Sequence, residues 1–137
     1  MQPGVATEAE TRGGRERGPV VRLAAVNKYR EFVFSLAGVV MRVVDVNRKP
    51  MIPGCLMEGM SVYELADVLP DCGLLNVWAA ARVALVTGRR QAVRMAHPWS
   101  RQVFFGYAMP AGRKLVVVRL YDGPATPAAV AHEVAAV

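Results

Sequence analysis

The stretch LLNVWAAARVALV, Leu74 to Val86, decides the fold together with the residues that follow it up to Tyr121. Its apolar side chains recur three or four positions apart, so they line one face of a helix. Thr87-Gly88 then supplies a glycine of the kind that ends helices. The apolar face consists of Leu74, Val77, Trp78, Ala81 and Leu85. This spacing predicts the best-defined helix of the chain.

Three segments after this helix are rich in Val, Phe and Tyr and are separated by short turns. They are Arg90 to Ala96, Gln102 to Met109 and Lys114 to Tyr121. His97-Pro98 and Pro110-Ala111-Gly112 contain residues that are typical of turns. Segments of this kind joined by short connections predict three antiparallel strands.

Two further strands and a short helix are predicted before the long helix. Val39 to Val46 is β-branched on both faces, which indicates a buried strand, and Met51 to Pro53 is a short extended segment. Ser61 and Glu64 have the spacing of a capping box, which predicts a helix from Val62 to Val68. The whole order predicts an α+β fold with a five-stranded antiparallel sheet and helices on one of its faces.

The segment from Val20 to Leu36 is predicted to form an amphipathic helix in front of the sheet. Its apolar residues are spaced three and four apart, and Pro19 and Gly38 stand at its ends. Its apolar positions are candidates for a dimer contact, while packing inside its own domain is an equally good interpretation. The dimer candidates are Leu23, Val26, Phe32, Val33 and Leu36.

The two ends of the chain differ in composition from its middle. Residues 1–19 have almost no large apolar side chains, which predicts a flexible tail. Residues 123–137 begin with GPATP and continue in Ala and Val, which predicts a linker or a short helix. One predicted domain remains, residues 20–122, and it is long enough to enclose a single hydrophobic core.

Several segments resemble the PAS family when they are taken in this order. Gly59 to Leu65 is similar to the PAS segment after the second strand, and the first predicted strand ends at Asn47, as PAS strands commonly do. The long helix that closes at Gly88 before three strands is also similar. The resemblance implies a regulatory module that contacts proteins, including itself, and senses a small molecule to control an effector such as a kinase. Profilin-like and roadblock-like sheets stay open as alternatives.

The resemblance also implies where a small-molecule pocket would lie, between the long helix and the inner face of the sheet. Its lining would comprise Met41, Val43, Val77, Trp78, Ala81, Phe105, Tyr107 and Val118. A closed core without a ligand is the commoner arrangement for such residues, because protein interiors contain few large voids.

The sequence contains no recognisable catalytic, metal-binding or cofactor motif. Cys55, Cys72, His97 and His132 are too dispersed to form a known metal site. The long helix has no histidine of the kind that PAS haem sensors use, and neither cysteine has the neighbours of a photoactive flavin site. A phosphate-binding glycine loop and a nucleophile with an oriented base are also missing. We therefore expect no cofactor, no metal and no enzymatic activity.

The basic residues are unevenly distributed along the chain. The formal net charge is +6, and between Cys72 and Tyr121 there are eight Arg and Lys residues and no Asp or Glu. This asymmetry predicts a positive face that would attract an acidic protein, an anionic ligand or nucleic acid. A solvated basic surface is the simpler interpretation, and nucleic acid is expected less than a protein partner. No membrane span and no secretory signal are predicted, so we expect a cytoplasmic protein.

Overall fold

In the computed structural model the described residues are 28–46, 57–121 and 125–135. The strands form one antiparallel sheet in the spatial order β2-β1-β5-β4-β3, so β2 and β3 are its edges. The α+β class and the five-stranded antiparallel sheet are therefore confirmed. Along the chain the elements are β1 (Tyr29–Ser35), β2 (Val40–Val46), α1 (Val62–Val68), α2 (Leu74–Thr87), β3 (Gln91–Ala96), β4 (Val103–Ala111), β5 (Leu115–Tyr121) and α3 (Pro127–Ala135).

Strand β1 occupies the second half of the segment for which a helix was predicted. It pairs with β2 on one side and β5 on the other, so the prediction of a helix is wrong for residues 29–35. Burial alternates along β1, with Arg30, Phe32 and Phe34 completely buried, which is the period of two of a strand. The part of the predicted helix before residue 28 and the predicted strand Met51 to Pro53 lie outside the described residues.

The turn between β1 and β2 depends on a glycine. Gly38 has a φ of +78°, where side chains are disfavoured, and its N–H donates to the carbonyl of Ser35. A Cβ atom at this position would also lie 3.2 Å from the side chains of Trp78 and Val62. The register then shifts within the β1–β2 pair. Val33 pairs with Arg42, whereas the next residue of β1, Phe34, pairs with Val40. The residue left over is Met41, which is 55% exposed.

The segment before α1 covers the free edge of β2. The N–H of Val40 donates to the carbonyl of Met60 at 2.8 Å, and the N–H of Gly59 donates to the carbonyl of Val40 at 2.7 Å. The Glu58 carboxylate accepts the N–H of Val43 at 2.9 Å. Helix α1 follows, and both hydrogen bonds of its predicted capping box, between Ser61 and the N3 residue, are formed.

Helix α2 packs on one face of the sheet, which we call the inner face. It runs over β3, β4 and β5 and ends at Gly88, which has a φ of +70°. Its buried residues are Leu74, Val77, Trp78, Ala81 and Ala84. The strands contribute the other half of this core through Phe32, Phe34, Val40, Val93, Met95, Phe104, Ala108, Val116, Val118 and Leu120.

Helix α3 packs on the opposite, outer face, whereas the two helices predicted between the strands, α1 and α2, both pack on the inner face. Its buried residues Ala129 and Val130 form a second cluster with Tyr107 and Tyr121. These tyrosines belong to the alternate positions of β4 and β5, which point away from the inner core. Residues 123–137 thus contain a helix that covers part of the sheet, over β4 and β3.

Candidate interaction surfaces

The predicted pocket residues do not form one surface. Val77, Trp78, Ala81 and Val118 are buried in the inner core, and Val43 packs against it. Together they fill the space between α2 and the sheet with side chains. This is the arrangement of a closed core rather than that of a lined cavity.

The other three predicted lining residues lie elsewhere. Met41 is the residue left over at the irregularity in β2 and is largely exposed. Phe105 and Tyr107 point to the outer face and pack beside α3. On β4 the inner positions are Phe104, a glycine and Ala108, so the prediction chose the wrong alternation for this strand.

The dimer candidates of the predicted N-terminal helix are separated in the same way. Phe32 is completely buried on the inner side of β1, whereas Val33 pairs with Arg42 at the alternate, outer position. Leu36 lies in the turn after β1 and is 57% exposed. Leu23 and Val26 lie outside the described residues, so a dimer contact through that part of the segment stays a prediction.

Exposed apolar residues instead line the solvent side of α2. Leu75, Ala79, Val83 and Val86 follow each other at helical spacing; we call this set the α2 stripe. Leu75 is 48%, Val83 45% and Val86 85% exposed. A surface depression of about 380 Å³ lies beside the later part of the stripe, from Ala79 to Val86, and is also lined by Arg82, the one charged residue of the helix. The sequence signal was available, since a helix that is apolar all round has more surface to bury than one sheet requires.

A second feature is a cleft between the start of α2 and strand β3. Its volume is about 390 Å³. We call it the β3 cleft, and of the predicted pocket residues it contains Val77 alone. Its lining comprises Asp71, Cys72, Gly73, Asn76, Val77, Ala92, Val93, Arg94, Met95, Ala96 and Arg101.

The hairpin loop from β3 to β4 closes one end of this cleft and is tightly bonded. Nδ1 of His97 accepts the N–H groups of Trp99 at 3.2 Å and Ser100 at 3.0 Å. Arg101 has a φ of 65°, and its guanidinium donates to the carbonyl of Asp71 before α2. This loop presents Trp99 with 60% of its surface exposed. The indole therefore extends from a loop that several hydrogen bonds hold in place.

Cys72 is the one cysteine among the described residues, and it lies in the wall of the β3 cleft. Burial raises the pKa of its thiol above the ordinary value, with a smaller contribution from the charge of Asp71. A thiol that stays protonated at neutral pH is a poor nucleophile and a poor metal ligand. Within the described residues no three His, Cys, Asp or Glu side chains lie close enough together to hold a metal ion.

The outer face carries a polar network beside α3. Arg119 on β5 donates to the Glu31 carboxylate at 2.7 Å and lies 4.5 Å from the centre of the Tyr29 ring. Burial alone would lower the pKa of Arg119, but hydrogen bonds to Tyr121 and Glu31 outweigh it and raise this pKa. At the other end, Arg90 pairs with Glu133 of α3 at 2.8 Å.

Two tyrosine hydroxyls meet inside this network. The hydroxyl oxygens of Tyr107 and Tyr121 are 3.4 Å apart, and Nη1 of Arg119 lies 3.5 Å from that of Tyr121. Burial and the hydrogen bond to Tyr107 raise the pKa of Tyr121 to about 12. These contacts satisfy polar groups where α3 meets the sheet, so we interpret them as structural.

Comparison with family models, with curated protein sequences and with solved structures gave no significant match. Of the helices in the described part of the chain, none has the length and apolarity needed to cross a bilayer.

Proposed function

We propose that this chain is a PAS-like regulatory module that works through protein contacts, and that it pairs with a second copy of itself through the α2 stripe. The observation that carries the proposal is the apolar solvent side of α2, where Leu75, Val83 and Val86 are each close to half exposed or more. Exposed apolar residues that adjoin one another on one helix mark interaction sites more often than single exposed residues do.

The distribution of charge favours a second copy as the occupant of this stripe. Two copies of a chain with a net charge of +6 repel each other where their basic surfaces meet. Helix α2 offers 14 residues with Arg82 as their one charge. It is thus a surface on which two copies can approach with little repulsion and can bury apolar area on both sides.

The spacing of the stripe also suits a two-fold arrangement. If two α2 helices pack antiparallel with the symmetry axis beside Ala79, Leu75 of one copy is level with Val83 of the other. The small side chain of Ala79 at the centre lets the two backbones approach closely. A symmetric pair of this kind uses the same patch twice, as most homodimers do.

Disulfide cross-linking tests this geometry directly. Ala79→Cys, made in a Cys55→Ser background, is expected to form a covalent dimer under mild oxidation, because the two introduced thiols meet at the axis. Val103→Cys, an exposed position on β4, is the matched control and should stay monomeric on a non-reducing gel. Equal cross-linking of both variants, or none of Ala79→Cys, would contradict the pairing.

A charge placed in the stripe tests the same contact without covalent chemistry. Val83→Glu puts two carboxylates into the apolar contact, so light scattering after size exclusion should report a monomer where the wild type is dimeric. Val103→Glu is the matched control and should leave the mass of the complex unchanged. A wild type that light scattering finds monomeric at every protein concentration measured would contradict the proposal.

The sensing role and the control of an effector such as a kinase rest on the PAS resemblance. The order of two strands, helices and three strands supports that resemblance, whereas the filled space under α2 favours the contact role over the sensing role. Native mass spectrometry of the purified protein separates the two. A dimer without bound small molecule supports a contact module, and a retained metabolite would make sensing the primary role.

A further inference from the structure

The two free edges of the sheet differ in how their backbone groups are bonded. At β2, the segment 58–60 supplies partners to Val40 and Val43, as described above. At β3, the N–H of Ala96 donates to the carbonyl of Cys72 at 2.9 Å. Among the described residues this is the one backbone hydrogen bond that the outer edge of β3 makes. One edge of the sheet is therefore covered and the other is largely open.

The alternation of an antiparallel strand identifies the open groups. In an antiparallel strand the N–H and the carbonyl of one residue point to the same edge of the strand. The groups of the next residue point to the opposite edge, so every second residue faces the same way. Because the N–H of Ala96 points away from β4, the N–H and carbonyl groups of Ala92 and Arg94 do so too. The ladder to β4 is made by Gln91, Val93 and Met95 in alternation with them.

These open groups lie in the wall of the β3 cleft, which contains Ala92 and Arg94. Gly73 borders this edge at Arg94. Its φ is +86°, and a Cβ atom there would lie 3.6 Å from the carbonyl oxygen of Arg94. A side chain at this position would occupy the space beside that oxygen. The cleft thus lies at the edge where a sheet would accept one more strand.

The charge around the cleft specifies what kind of strand would fit. Arg94 and Arg101 are exposed at its rim. The one acidic residue of the lining, Asp71, accepts the N–H of Gly73 at 3.2 Å through its carboxylate. From these observations we infer that the edge of β3 binds an extended acidic segment of a partner protein by strand addition. This surface is separate from the α2 stripe and adds a second partner to the proposed function.

The two sides of the sheet predict the pattern of that segment. Arg94 pairs with Phe105, so its side chain is on the outer face, whereas Val77 borders the cleft from the inner side. Side chains of an added strand alternate between these two sides. A segment that alternates acidic and apolar residues therefore satisfies both, and main-chain hydrogen bonds supply the affinity.

A second copy of this chain fits the edge less well than an acidic strand does. Pairing two β3 strands would bring Arg94 and Arg101 of both copies close to one seam, where like charges repel. Charged residues on an edge strand also commonly prevent such self-pairing. The same residues attract an acidic strand.

Fluorescence anisotropy with labelled peptides tests the inference. The probe is an alternating Glu-Val hexapeptide, compared with its Lys-Val counterpart and with a Glu-Val peptide that carries N-methyl groups at alternate residues. The acidic peptide should bind at least about tenfold more tightly than either comparison peptide. The Lys-Val peptide carries the opposite charge, and the methylated peptide lacks the N–H donors that would face the edge of β3. Its affinity should also fall as salt is added.

Protein variants locate the site. Ala92→Pro removes an N–H that faces the open edge and leaves the ladder to β4 in place. Arg94→Glu reverses the charge at the rim. Each is expected to weaken the acidic peptide at least about tenfold, and Arg113→Glu in the turn after β4 is the matched charge control with no such loss. Thermal melts identify a variant that has lost binding because it is unfolded. In that case the comparison of the methylated and unmethylated acidic peptides on the wild type tests the strand addition.

Several results would overturn the inference. Equal binding of the methylated and unmethylated acidic peptides would mean attraction to a basic surface without strand addition. Tight binding of single-stranded RNA that depends on Arg94 would assign the cleft to nucleic acid. A loss of self-association in Ala92→Pro would assign the edge to a second copy. Because Val83→Glu does not touch the cleft, its peptide affinity should equal that of the wild type even if the dimer proposal fails.

Discussion

The two faces of the sheet bury their side chains by different means. On the inner face, Phe32, Phe34 and Trp78 are packed among aliphatic residues and are less than 5% exposed. On the outer face, the cluster under α3 is small. It is continued by the hydroxyls of two buried tyrosines and by ion pairs that stay partly in contact with water. The inner face is sealed by the long helix α2, whereas the outer face is covered by the shorter helix α3.

This difference assigns stability mainly to the inner face. Apolar burial contributes in proportion to the area removed from water, and the inner core contains most of the buried apolar residues of the described chain. Ion pairs that are about a quarter exposed contribute much less. We therefore expect the outer face to tolerate change and the inner face to resist it.

The largest expected effect comes from the same substitution made on the two faces. Phe34→Ala leaves a void beside the Trp78 ring, whose centre is 5.6 Å away, and should cost about 3–5 kcal/mol in the free energy of unfolding. Phe105→Ala on the outer side of β4 is the matched variant and should cost roughly half as much, because that side chain is only partly buried. Urea denaturation measures both. Equal losses would remove the distinction between the faces.

The contrast between the faces also explains which parts of the fold were predictable. Helix α2, strands β3 to β5 and the capping box were found from local patterns, because each repeats its apolar residues at one period. Strand β1 was missed because the fully buried Arg30 stands where an apolar residue would complete the alternation with Phe32 and Phe34. A buried charge at an inner position makes a strand resemble an amphipathic helix.

The site was less predictable than the fold for a related reason. A strand that is covered on both faces has apolar residues at every position, so Phe105 and Tyr107 gave no signal that they face α3 and not α2. The β3 cleft depends on backbone groups and on the approach of Gly73 to Arg94, which distant pairing creates. Of the properties of this cleft, the excess of basic residues in this half of the chain is the one that the sequence predicted.

A smaller effect is expected from alkaline pH, and it belongs to the outer face alone. The pKa of Tyr121 is raised to about 12 in the folded chain, so the folded state keeps a proton that an unfolded tyrosine loses near its ordinary value of 10. The stabilising contribution is complete below pH 10 and is lost as the pH rises through about 12. Absorbance of tyrosinate at alkaline pH should therefore show a late step near pH 12 that belongs to Tyr121.

Tyr121→Phe is the control for this titration. It should remove the late step, and the loss of stability between pH 10 and 12 should become shallower than in the wild type. If the variant keeps the late step, another tyrosine carries the raised pKa and the hydroxyl contact with Tyr107 is not its cause.

The smallest effect is expected for the ion pair between Glu31 and Arg119. The two side chains are 21% and 26% exposed, so water screens their attraction, and Arg119 also keeps its contact with the Tyr29 ring when the pair is broken. Glu31→Gln should therefore cost about 1 kcal/mol or less. A double-mutant cycle with Arg119→Gln measures the coupling, which should decrease as salt is added. A coupling as large as the Phe34→Ala loss would show that the outer face is as important for stability as the inner core.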